Sequence, residues 1–141
     1  MSLVLQFLDK TAAKDGKTFK KTVKKAAEAV IKDQCMKGKY ELSFLVTDND
    51  EIKQLNSQYR NKDKATDVLS FPASDNEDEI DPDNNAVILG DIIISFDKAK
   101  EQASEYNNTL EAEIAFLTVH GMLHLIGFDH EISKDEENIM F

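Results

Sequence analysis

A chain of 141 residues with 41% hydrophobic and 31% charged residues suits one globular domain, 1–141, large enough to bury a core. It has no apolar run near the ~20 residues of a bilayer span, and its N-terminus shows no basic region followed by a long apolar stretch, so neither a membrane protein nor a secreted one is expected. The net charge of −10 argues against nucleic acid, yet the first forty residues hold ten lysines against four acids and the rest seven bases against 23 acids. Such a lysine-studded segment reads as a solvated helix face or a local contact for phosphates.

Leu3–Leu8 is a short apolar run and a candidate strand. Phe19–Met36 carries Phe19, Val23, Ala26, Ala27, Val30 and Ile31 at helical spacing, and Gly38 follows as a stop signal. Cys35 is the only cysteine, which excludes an internal disulfide and fits a reducing cytoplasm. It reads as a small core residue. Tyr40–Thr47 alternates as a strand should, with Leu42, Phe44 and Val46 on one side. Asp48 to Glu51 can cap a helix bearing Ile52, Leu55 and Tyr59. Asp67–Phe71 is a strand ended by Pro72, and Ser74–Asn85 an exposed acidic loop. Ala86–Ser95, broken by Gly90-Asp91, is the best central strand. Phe96–Tyr106 is a helix; Asn108 or Thr109 caps another that runs to about Ile126, and Ser133 can cap a last turn. The order β-α-β-α-β-β-α-α predicts an α+β fold, a small mixed four-stranded sheet with helices packed on it.

The three histidines all lie within eleven residues, His120-Gly-Met-Leu-His124-Leu-Ile-Gly-Phe-Asp-His130. His120 and His124 are four apart on the predicted helix, so both imidazoles share one face and can hold one ion. His130 needs the chain to turn back, and Gly127 can end the helix in the left-handed conformation that permits it. Three protein ligands plus water is the catalytic zinc pattern, whereas a structural site usually takes four. The H-x-x-x-H-x-x-G-x-x-H spacing is also that of metzincin proteases, but Gly121 stands where those carry their glutamate base.

The histidine motif resembles the signature H-G-x-L-H-L-x-G-[YF]-D-H of the YbeY family of bacterial RNA-processing metalloproteins. Leu55-Asn56-Ser57-Gln58-Tyr59-Arg60-Asn61-Lys62-Asp63, then Thr66-Asp67-Val68-Leu69-Ser70-Phe71-Pro72, and Leu89-Gly90-Asp91-Ile92-Ile93-Ile94-Ser95 agree as well, in the family's order. The resemblance runs from about residue 42 to 131. Ala65 replaces a common proline before the Thr-Asp pair, and most members continue into a longer C-terminal helix than a chain ending at Phe141 provides. The resemblance implies a cytoplasmic endoribonuclease specific for single strands. It implies action on ribosomal RNA, chiefly the 16S 3′ end, with the small ribosomal subunit as partner, and a role in ribosome quality control. It implies His120, His124 and His130 as ligands of one zinc ion, another divalent transition metal being the alternative, and Arg60 as a residue needed for cleavage. RNA rather than DNA is the expected partner, and no membrane.

Arg60 is the only arginine among 17 basic residues. A guanidinium grips phosphate through two parallel hydrogen bonds that lysine cannot copy; a structural ion pair is the plainer alternative. Asp129 could orient an imidazole or cap the next turn. Asp67 and Asp91 could likewise support the ligands, although structural hydrogen bonding is the plainer reading of both. Two other functions fit the motif less well: a metallopeptidase-like hydrolase of another substrate, opposed by Gly121, and a ribosome-assembly protein with structural zinc, opposed by the lack of a fourth His or Cys.

Overall fold

The computed structural model describes residues 2–11, 19–62, 66–73 and 79–127. Strand β1, Ser2–Asp9, is followed by helix α1, Lys20–Asp33, strand β2, Lys39–Thr47, and helix α2, Asn49–Arg60. Strands β3, Val68–Pro72, β4, Glu79–Ile80, and β5, Val87–Ser95, come next, then helices α3, Phe96–Glu105, and α4, Leu110–Leu125. The fold is α+β, and no helix among the described residues is long and apolar enough to cross a membrane.

The sheet has the order β1-β2-β5-β3. β1 and β2 are parallel, as are β2 and β5, while β3 and β4 run antiparallel to β5. The expected four strands thus become five. β3 pairs with Gly90–Ile94 and β4 with Val87 and Ile88, so the two lie end to end along one edge of β5. β4 falls within the stretch whose sequence predicts an acidic loop, and two residues are too few to leave a periodic signal. A bulge shifts the register between Glu41↔Ile88 and Leu42↔Gly90, which leaves Leu89 without a partner on β2.

The alternation of the strands divides the core. Leu42, Phe44, Val46, Ile92 and Ile94 meet α1, α3 and α4 on one face, where Val23, Ile31, Ile114 and Leu117 are fully buried. Leu69 and Ile93 meet Ile52 of α2 on the other. Helix entry follows the sequence: Asp48, Ser95 and Thr109 accept from the backbone N–H of Glu51, Lys98 and Ala112. α1 ends earlier than its apolar pattern implies. Cys35 takes φ +55 beyond it, its N–H donates to Lys32 O, and Met36 N–H donates to Ile31 O. Those two bonds make a Schellman cap with cysteine where glycine is usual. Cys35 is therefore exposed, not a core residue, because the capping turn faces it to solvent. Tyr59 also departs from expectation, since α2 leaves it 62% exposed.

Candidate metal centre

α4 is the helix on which the histidines were expected. Its inner side rests on β5, and a Cβ added to Gly121 would stand 2.8 Å from Ile92 Cδ1. Position 121 therefore meets the sheet at close approach, and a glutamate there would be driven into the core. That is a spatial reason for the missing protease base. His120 and His124 lie one turn apart, both half-buried, with ring centroids 4.7 Å apart and planes 75° apart. Two imidazoles holding one ion at ~2.0–2.1 Å place their ring centres roughly 5 Å apart at a tetrahedral angle. The pair fits a shared ion.

Ser70 of β3 adds a contact that the sequence reading did not single out. Its Oγ is 3.1 Å from His124 Nδ1. A ring that donates Nδ1–H to this oxygen carries its lone pair on Nε2, the state a metal ligand needs. The signal was in the strand pattern: Ser70 is a small polar residue between Leu69 and Phe71, so it faces α4 while they face α2.

α4 stops at Leu125. Gly127 follows with φ +110, and its N–H donates to His124 O. A left-handed residue at this point turns the chain away from the helix axis. His130 and Asp129 lie outside the described residues, as does the side chain of Arg60, whose backbone closes α2. Among the described residues no group of three His, Cys, Asp or Glu side chains is gathered around a point. Two histidines of the expected three are brought together here.

Two carboxylates, Glu113 and Asp67, interact with each other upstream of the histidine pair. Glu113, seven residues before His120 on α4, is only 5% exposed. Burial, then the charge of Asp67, raises its pKa above the ordinary glutamate range. Sequence reading overlooked it, although an acid one stripe above His120 on an apolar helix is itself a signal. Asp67 accepts from Gln102 Nε2 at 3.2 Å and from Thr66 Oγ1 at 3.4 Å. Asp91 lies on the other face of the sheet, opposite Ser43 and Phe71 in register. It thus serves that face rather than the side on which Ser70 meets His124. Burial raises its pKa, and a hydrogen bond from the Ser43 hydroxyl opposes the shift.

A mixed sheet with a two-histidine helix turn, oriented from the edge strand, defines the chain as an α+β protein with a candidate metal site. The model of the family Endoribonuclease YbeY matches residues 5–141. An Endoribonuclease YbeY of Exiguobacterium sibiricum is 44% identical over 89% of this chain and 84% of its own length. That of Bacillus subtilis is 40% identical, covering 100% of this chain and 90% of its own. A solution structure of a Thermotoga maritima protein superposes with a TM-score of 0.58 at 28% identity, over 97% of this chain and 84% of that one. The chain belongs to the Endoribonuclease YbeY family.

Proposed function

We propose that this endoribonuclease cuts single-stranded RNA with one zinc-like ion held by His120, His124 and His130. Its substrate is ribosomal RNA, at the 16S 3′ end on the small subunit, in the cytoplasm, where it also serves ribosome quality control. The observation that carries the metal reading is the His120–His124 pair, 4.7 Å between ring centres, with Ser70 on His124 Nδ1. When bound, such an ion supplies positive charge to a phosphodiester and acidifies a water. The protein's own part is to hold the ligands and the substrate. Ser70 fixes the tautomer of His124, and Gly127 gives the chain the turn that lets His130 approach. Arg60, at the end of α2, offers forked N–H donors to phosphate oxygens whose charge grows in the transition state. Asp129 is placed by sequence to orient His130. The lysines of α1 lie outward of its buried Val23, Ala27 and Ile31, where they can meet a phosphate chain.

The peptidase alternative loses ground at Gly121, whose position is closed by Ile92. The test is incubation with a single-stranded oligonucleotide, with and without chelator, followed by mapping of the new ends. Cleavage that stops with chelator and returns with zinc is expected. Cleavage indifferent to chelator overturns the metal reading. His124→Ala should lose most of its bound metal by elemental analysis. Arg60→Lys should keep metal and melting temperature and lose cleavage on the order of 10²-fold, the effect of one missing transition-state donor. Full activity in Arg60→Lys reduces Arg60 to a generic charge.

A further inference from the structure

β3 has two sides. Ser70 reaches His124 on one, and Phe71, its neighbour in sequence, lies on the other in a groove of about 680 Å³. That volume falls within the range of small-ligand sites. The groove exists because α2 covers only part of its face of the sheet. Leu55 and Tyr59 of α2 form one wall, and among the described residues no helix covers β1 and β2 on this face. Leu8, 56% exposed, and Tyr59, 62% exposed, are apolar surface facing this space. Tyr59 stands edge-on to Phe71 with ring centroids 5.6 Å apart, which braces one side of the ring and leaves much of the rest open. The floor is apolar except for one row, Gln6, Ser43 and Asp91, adjacent across β1, β2 and β5.

We propose that this groove binds an unpaired nucleobase of the RNA, with Tyr59 as the stacking surface and Asp91 with Ser43 as acceptor and hydroxyl partner for the base edge. The inference rests on the endoribonuclease reading. A planar aromatic ligand suits a braced, exposed tyrosine over an apolar floor. The carboxylate accepts N–H, from an exocyclic amine or a ring N–H of the base edge, and Ser43 can donate to Asp91 and accept from the base at once. Partial burial raises the pKa of Asp91, while its side chain stays open to solvent and so within reach of a ligand. The placement suits a single strand as well. Tyr59 immediately precedes Arg60 on α2, and the groove lies back to back with the histidine pair across the edge strand. A strand crossing that edge presents a phosphate to one side and a base to the other.

The test uses the whole protein and a single-stranded RNA oligonucleotide in which one abasic site is moved step by step away from the cleaved bond. One or two positions should bind about tenfold more weakly without their base, the size of one stacked base. Tyr59→Ala should weaken the intact oligonucleotide by a similar factor and make no further difference at the sensitive position. Tyr59→Phe, which keeps the ring, should bind as the unaltered protein does. Asp91→Asn should change which base is preferred there without changing affinity for the abasic oligonucleotide. Uniform binding across the abasic series, with cleavage intact, overturns the base site and spares the endoribonuclease reading. So does a Tyr59→Ala loss equal on intact and abasic RNA, the result expected if Tyr59 acts through the fold or on the sugar–phosphate chain rather than on a base. Failure of the unaltered protein to bind or cut any RNA overturns both.

Discussion

The two faces of the sheet are finished to different degrees. On one, α1, α3 and α4 cover the strands, and Val23, Ile31, Leu42, Ile92, Ile94, Ile114 and Leu117 are fully sealed from water. On the other, α2 shelters Leu69, Ile93 and its own Ile52, while Leu8 and Tyr59 stay exposed. The covered face supports the helix that carries the histidines, so its packing sets the geometry of the His120–His124 pair. Among the described residues, the other face is left open at a groove of about 680 Å³. The sealed core and the open groove are thus on opposite sides of one sheet, and substitutions should separate their costs to stability.

Gly121→Glu should break the contrast most severely. It forces a carboxylate against Ile92 in the closed core, and a loss of about 4 kcal/mol or more, read by urea denaturation, is expected. A folded, stable Gly121→Glu protein would mean that α4 does not lie on β5 as described. Leu117→Ala and Leu8→Ser make a matched pair. The first empties space in the sealed core and should cost about 2–5 kcal/mol. The second, at the open groove, should stay within about 0.5 kcal/mol. Equal costs would erase the distinction between the faces. Ser70→Ala should weaken metal affinity about tenfold, measured by competition with a chromogenic chelator, while the fold persists. An unchanged affinity removes Ser70 as a support for His124.

The smallest effect concerns Glu113. Burial favours its protonated form, so the folded protein binds a proton there more tightly than the unfolded chain does. Its contribution to stability is full below the ordinary unfolded value and is lost as pH rises through the raised folded value. Glu113→Gln should raise the melting temperature modestly at neutral pH and leave it nearly unchanged in acid. A melting temperature lowered at neutral pH would show that the charged form is held by a favourable partner.

The course of the chain was largely readable because its long elements keep clean periods. The alternation of Leu42, Phe44 and Val46, and the helical spacing of Val23, Ala27, Val30 and Ile31, survive intact as buried faces. What escaped was local or depended on partners. β4 is two residues long. Cys35 entered a left-handed cap, which the composition of a helix end does not announce when glycine is absent. Tyr59 sat at core spacing on α2, but among the described residues nothing further covers the sheet beside it, so periodicity marked a side without saying what would meet it. At the site, the helical spacing of His120 and His124 and the glycine at 127 were visible in sequence. Ser70 and Glu113 were not singled out, because each acts across elements far apart in the chain.

The bulge at Leu89 has a consequence for how the gene can change length. Residues before it face the sheet in one phase and residues after it in the opposite phase, since the extra residue offsets the alternation. Ile92 and Ile94 reach the sealed face, and Asp91 the groove, only because that offset is present. Loss of one codon here would not shorten a loop. It would send a carboxylate beneath α4 and three isoleucines to exchange sides. An insertion of the same size in the turn between β4 and β5 would leave every one of these side chains where it is.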